Sequence, residues 1–197
     1  LIAFHHVNLS FSGKQIFENL NITINEEEKI CFSGPSGRGK STLLKMLQGY
    51  VLPDSGEILI NKWSMTPHNI RYIRDSIVWI PQNINLPVNN GLELLKLMHL
   101  DENLSQVKAI AKSLLLEEEI LSKDFSIISG GQKQRIIIAI CLSIDRNILL
   151  MDEPTASLDA VSVEALLSTI LSLSNKTVIS ASHNDFWLKN FGKVIPL

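Results

Sequence analysis

Between Phe32 and Leu47 the chain reads FSGPSGRGKSTLLKML. An apolar run passes through Gly34, Gly37 and Gly39 into a leucine-rich stretch. Glycine loses more backbone freedom on folding than any other residue, so such a loop is costly unless its shape is needed. KICFS, just before it, is a compact apolar strand. STLLKMLQGY, just after, reads as a helix whose Leu43, Leu44 and Leu47 form one apolar stripe, with Gly49 as its stop. A strand that runs through a tight glycine loop straight into a helix is the feature around which the rest of the fold must be arranged.

The other segments fit an α/β arrangement. IAFHHVNLSF and NLNITI alternate as strands, with SGK as the turn between them. GEILI and SIVWI are further short strands. NGLELLKLMHL, SQVKAIAKSLLL and EEEILS read as successive helices with polar breaks. GGQKQRIIIAICLSI is apolar nearly all round and predicts a buried helix. NILLMD and KTVISAS are β-rich, with the amphipathic VSVEALLSTILSLS between them, and KTVISAS is read as the last strand. Strands alternating with helices predict a parallel sheet covered on both faces. Ligands of such sheets bind beyond the carboxyl ends of the strands.

Composition narrows the classes. The 197 residues suit one domain with its own core. A net charge of −2 gives no general attraction for nucleic acid or anionic lipid. The longest apolar run, Ile136–Ile144, is too short for a membrane span, and no signal peptide is read. Cys31 and Cys141 lie far apart among apolar neighbours and read as buried thiols, not zinc ligands. His5, His6, His68 and His99 read as structural or exposed, and Glu26–Glu28 as a solvated turn.

The glycine stretch matches G-x-x-x-x-G-K-[ST] from Gly34 to Ser41, a phosphate cradle. Its glycines let successive N–H groups, including that of Ser36, turn inward on phosphate oxygens, and the following helix adds its positive end. Lys40 would neutralise β- and γ-phosphates, Ser41 would ligate Mg²⁺, and Thr42 would reach the α-phosphate. Asp152 and Glu153 end the apolar NILLMD strand, which the parallel-sheet rule brings beside that loop. One carboxylate can hold Mg²⁺ through water and accept from Ser41; the next can orient an attacking water.

ISGGQKQR, from Ile128 to Arg135, is the most specific element. It resembles the signature of the ATP-binding cassette (ABC) family, Leu-Ser-Gly-Gly-Gln, with Ile128 in place of Leu. The resemblance extends over essentially the whole chain, in the family's motif order. Gly34 to Thr42 resemble Walker A, and Gln82 in IPQN the Q-loop glutamine. Ser129, Gly130, Gly131 and Gln132 resemble the signature itself, Asp152 and Glu153 Walker B and the catalytic glutamate. Asp159 in SLD matches the D-loop, His183 the switch histidine, and Phe11 falls where the family places an adenine-stacking aromatic.

The resemblance implies an α/β P-loop NTPase with a mainly parallel core sheet, an N-terminal antiparallel β subdomain and a small helical subdomain. Residues 1–197 would form one domain, with 1–86 and 129–197 as core and about 87–128 as helical subdomain. It implies an ATPase that uses ATP and Mg²⁺, with Glu153, His183, Gln82 and Lys40 catalytic and Ser41, Gln82 and Asp152 at the metal. Gly37, Gly39, Asp159 and the signature residues would contact nucleotide, the signature capping the ATP of a second cassette. A homo- or heterodimer and a transmembrane permease are the implied partners, no nucleic acid is expected, and the location is the cytoplasmic face of a membrane. PQNINLPVNNGLELLKLMHL would be the docking face or simply subdomain core. LSKDFSI, before the signature, lacks the Gly/Glu-rich segment of many fused exporters, which favours a separate subunit, and no C-terminal regulatory domain is expected. The alternatives weighed are a soluble ribosome- or DNA-associated relative, a small-molecule kinase for which IRYIRD would be a poor lid, and a non-hydrolysing scaffold.

Overall fold

A computed structural model describes residues 1–83 and 85–197. Strands β1 (Ile2–Phe11) and β2 (Lys14–Ile24) form an antiparallel hairpin. Its two-residue turn has φ of 50° at Ser12 and 77° at Gly13, the positive values a tight hairpin needs to match strand twist. β3 (Lys29–Ser33) follows, then α1 (Lys40–Leu47), β4 (Ser55–Ile60) and the two-residue β5 (Trp63–Ser64). β2-β1-β4-β5 is one antiparallel sheet.

After α2 (Ile70–Asp75) and β6 (Ile77–Ile80) come α3 (Gly91–Leu97), α4 (Leu104–Ser113) and 3₁₀ turns at Asp101–Asn103 and Glu118–Ser122. EEEILS is thus a 3₁₀ turn, not an α-helix. The chain continues with α5 (Gly130–Leu142), β7 (Ile148–Asp152), α6 (Ala160–Leu171), β8 (Thr177–Ala181), α7 (Asp185–Asn190) and β9 (Lys193–Pro196). The second sheet is parallel, in the order β6-β7-β8-β3-β9. KTVISAS is therefore not the last strand. β9 runs along the outer edge of β3, and its largely exposed residues and terminal Pro196 suit an edge.

Side-chain alternation builds the layers. Ile30 and Phe32 of β3, with Ile148 and Leu150 of β7, point to a core shared with α1 and the antiparallel sheet. Cys31, Leu149 and Met151 point the other way, to a core shared with α3, α4, α5 and α6. All five residues of β7 are buried, as a strand covered on both faces requires. Helix α1 stops as its sequence indicates. The Gly49 N–H donates to Met46 O and the Tyr50 N–H to Lys45 O, with Gly49 at φ 68°, a Schellman ending. A Cβ at Gly49 would meet Ile70 at 2.4 Å, so close packing demands glycine there too.

Candidate active site

Four neighbouring strands of the parallel sheet end on one side. Phe32 of β3 pairs with Ala181 of β8, and Asp152 of β7 pairs with the same Ala181. Ile80 of β6 pairs with Met151. The segments leaving those ends are the glycine loop, the Asp152–Glu153 corner, His183 and Gln82, so the topology gathers them at one edge of the sheet.

The loop follows the sequence-predicted path. Gly34, Gly37 and Gly39 have φ of 145°, 82° and 92°. At Gly37 a Cβ would meet open space, so the backbone angle alone calls for glycine. At Gly39 a Cβ would come within 2.8 Å of Ile16 and 2.7 Å of Phe17, so the loop lies directly on β2. Lys40 is buried, and its Nζ donates to Gly34 O at 2.7 Å and Pro35 O at 3.2 Å. It also lies 4.0 Å from Glu153 Oε1.

A cavity of about 390 Å³ opens over this loop, lined by Ser36, Gly37, Gly39, Lys40, Ser41 and Thr42 together with Gln82, Glu153 and His183. The Ser41 hydroxyl donates to Asp152 Oδ1 at 2.9 Å. His183 Nδ1 is 2.9 Å from Glu153 Oε1; the carboxylate can only accept, so Nδ1 carries the proton. Burial raises the carboxyl pKa of Asp152 above its usual value, and the Glu153 charge adds to this; the Ser41 hydrogen bond, Lys45 and Lys40 oppose it. Glu153 itself is bent into the left-handed region, φ 48°.

The signature residues lie elsewhere. Ser129 caps α5: its Oγ accepts from the Gln132 N–H at 3.1 Å, while Gln132 Oε1 accepts from the Ser129 N–H at 2.9 Å, a capping box. Ser129 and Gly130 are exposed and do not line the 390 Å³ cavity. Asp159 caps α6 by accepting from the Ser162 N–H at 2.8 Å, and this bonding holds its carboxyl below the usual range, with a smaller contribution from Arg135. Phe11 closes β1 opposite Lys14, is 47 % exposed and does not line the cavity; Ile16 of β2 does. Sequence reasoning missed Ile16 and the buried Gln134, whose Nε2 donates to Pro154 O at 2.9 Å. The signal for Gln134 was a glutamine running into the aliphatic stretch of a helix with no polar face.

Oxygen donors of this kind fit magnesium, which keeps several waters and takes few protein ligands. Ser41 Oγ and Asp152 Oδ1 are adjacent, and Gln82 is on the same cavity. Among the described residues no group of three or more His, Cys, Asp or Glu could enclose an ion.

The family model for the ABC transporter matches residues 17–156. The energy-coupling factor transporter ATP-binding protein EcfA1 of Mycoplasmoides gallisepticum is 34 % identical over 210 residues, covering 99 % of this chain and 74 % of that protein. The carnitine transport ATP-binding protein OpuCA of Listeria monocytogenes is 32 % identical over 195 residues, covering 93 % of this chain and 49 % of the relative; the chain thus spans about half of that protein's length. Among solved structures, the dimeric post-hydrolysis ATP-binding cassette MJ0796 bound to ADP and Pi superposes with a TM-score of 0.86 at 26 % identity, covering 100 % of this chain and 94 % of that one. With the phosphate loop, the paired carboxylates and the exposed capping box in the order already described, these likenesses establish that the chain belongs to the ABC transporter family, as one of its ATP-binding cassettes.

Proposed function

We propose that this chain hydrolyses ATP to ADP and phosphate and thereby powers substrate movement across a membrane, through ATP-driven closure of a cassette pair. One observation carries the reading: Lys40, Ser41, Glu153, His183 and Gln82 share a single cavity, with Asp152 bonded to Ser41 at its wall. The loop amides and Lys40 hold the β- and γ-phosphates, and Thr42 reaches the α-phosphate. Phe11, exposed on the hairpin sheet that also supplies Ile16, offers an aromatic face to adenine. Ser41, Asp152 and Gln82 would hold Mg²⁺, which when bound neutralises charge on the phosphates. Glu153 orients water in line with the γ-phosphorus and accepts its proton; His183 holds Glu153 through its Nδ1–H and contacts the γ-phosphate.

The second cassette follows from chemistry. Ser129 Oγ already accepts from Gln132, which leaves its O–H free to donate to an anion. The first N–H groups of α5 add to that donor set. This end of α5 does not line the chain's own phosphate cavity, so the phosphate it serves belongs to another copy's ATP, an arrangement two-fold symmetry satisfies. Asp159, which caps α6 near Arg135 of α5, would face the same partner nucleotide. The residues before the signature, about 87–128, act as a helical subdomain within the 1–197 cassette. The cassette works with a permease at the cytoplasmic face of the bilayer; among the described residues no helix is long and apolar enough to cross it. The relatives' names point to the same division of labour.

The test is direct. Purified protein given ATP and magnesium should release inorganic phosphate without any acceptor, and should co-purify with a membrane protein. Phosphate transferred to a small molecule, or co-purification with ribosomes or DNA alone, would overturn the reading.

A further inference from the structure

Gln134 lies in the second turn of α5, just behind the exposed Ser129–Gly130 end, and is buried. Its Nε2 donates to Pro154 O at 2.9 Å. Its Oε1 is buried with no hydrogen-bond partner among the described residues. That is a poor choice for stability, because an aliphatic side chain would leave no oxygen unsatisfied. Ile136, Ile137 and Ile138, beginning two residues further on, are buried aliphatics of that kind. What the glutamine provides and they could not is the single bond to Pro154.

The neighbours of Pro154 show what that bond holds. Proline has no N–H, so its carbonyl is the only main-chain group by which it can be tied. The residue before it is Glu153, at φ 48°, a conformation that a non-glycine residue keeps only when its surroundings impose it. On one side, the Glu153 N–H donates to Ala181 O at 2.8 Å. On the other, Gln134 grips the next carbonyl. Further along the same loop, a Cβ at Gly131 would lie 2.6 Å from Ser157 O, so helix and loop meet backbone to backbone. One helix therefore carries an exposed phosphate-facing end and, a turn later, a clamp on the backbone of Glu153.

We propose that Gln134 is a positioning residue: through Pro154 O it holds Glu153 in its bent conformation and links the placement of Glu153 to the placement of the α5 end that caps a partner's ATP. The proposal rests on the ATPase reading above. In a symmetric pair, each copy's α5 end then reports engagement of one nucleotide to the glutamate that serves the other.

Three variants test it, read by nucleotide binding, turnover, amide exchange and thermal stability. Gln134→Met keeps the length and removes the donor; Gln134→Leu does the same with a different shape; Gln134→Lys keeps donor hydrogens on a chain of similar reach. Binding of a fluorescent ATP analogue should be unchanged in all three, since the glycine loop is untouched. Turnover number in Gln134→Met and Gln134→Leu should fall about 10- to 100-fold, the scale of a misplaced catalytic group, with KM nearly constant. Gln134→Lys should recover a clear part of it. Amide exchange of Thr155 to Ser157 should quicken in Gln134→Met and Gln134→Leu. Wild-type turnover and exchange in both apolar variants would overturn the proposal, and so would a loss of turnover that only tracks lost thermal stability and is not relieved by lysine. If the wild-type chain failed to bind ATP or release phosphate, the ATPase reading would fall instead, while amide exchange would still report whether the clamp exists.

Discussion

His183 Nδ1 donates to Glu153 Oε1 across 2.9 Å, although the imidazole is 71 % exposed and the carboxylate is almost fully buried. The other oxygen, Glu153 Oε2, is buried with no partner among the described residues. An exposed, movable ring thus holds a sheltered carboxylate whose second oxygen is uncommitted. Under the proposed function this carboxylate would be the general base.

Glu153→Gln should therefore lower turnover on the order of 100-fold or more, the usual contribution of a positioned base, without weakening ATP binding. The glutamine keeps the shape and the backbone but cannot accept the proton. An ATP-stabilised dimer should accumulate, visible by light scattering. His183→Ala should lower turnover by a smaller factor and leave thermal stability nearly unchanged, because so much of the ring faces solvent. Steady-state hydrolysis of Glu153→Gln equal to wild type would remove Glu153 from this role.

Gly130→Asp separates the two halves of the site. A Cβ at Gly130 meets nothing within 4 Å, and its φ is not positive, so the variant should fold with an unchanged melting temperature. Its own glycine loop should bind nucleotide normally. The new carboxylate would face a partner's triphosphate and repel it, so ATP-dependent dimerisation and turnover should both disappear. Normal turnover would show that the exposed end of α5 caps nothing.

How far the sequence led, and where it stopped, follows from the range of the forces involved. The glycine loop, the helix stop at Gly49 and the helix start at Ser129 are local devices whose partners lie within a few residues, so they could be read from the string. The direct His183–Glu153 bond joins residues thirty positions apart and depends on which strands are adjacent in the sheet. Gln134 meets Pro154 only because α5 packs against the loop after β7. β9 escaped because an edge strand of four largely exposed residues has neither alternation nor length to reveal it. Phe11 shows the reverse: its place in the motif order was legible, but its distance from the cavity wall was not.

Asp152→Asn should trade activity for stability. The raised pKa of Asp152 means that the folded state holds its proton more tightly than the unfolded chain does. Between the ordinary carboxylate value and the raised one the native state binds more protons, so stability falls as pH rises through that window and stays lower above it. The neutral asparagine escapes this cost. At neutral pH the variant should melt higher than wild type, and the gap should close as pH falls to the ordinary carboxylate range. Turnover should drop sharply, since the Ser41 partner has lost its charge. A wild-type melting temperature that is higher at neutral pH, with a gap that does not narrow in acid, would contradict the assigned cause.

Trp187 tests the C-terminal element that the strand pattern did not reveal. It is fully buried, its Nε1 donates to Ser180 Oγ at 3.1 Å, and its ring stacks on Phe191 at 4.9 Å between centroids. Trp187→Ala should cost about 3–5 kcal/mol, the range for large aromatic truncations in a core. Chemical denaturation should show the midpoint falling with little change in slope. A loss below about 1 kcal/mol would mean that α7 is only loosely attached.

The two cysteines give a readout of the intact core. Cys31 is fully buried in β3, and burial pushes its thiol up to about 11, with smaller opposing contributions from Ser180 and Ser182. Cys141, near the end of α5, is pushed up to about 12 by burial. Only the thiolate is nucleophilic, so at mildly alkaline pH neither residue should react with a disulfide reagent on the scale of minutes. Both should react at once in denaturant. The two thiols share one core but come from different elements, Cys31 from the strand that feeds the glycine loop and Cys141 from the helix that begins with the signature. Titrating denaturant while following each by mass spectrometry therefore shows whether helix and sheet open together. Cys141 becoming reactive well before Cys31 would mark α5 as a separately opening unit. Simultaneous exposure is the expected result, because α5 is buried along most of its length against the sheet that contains Cys31.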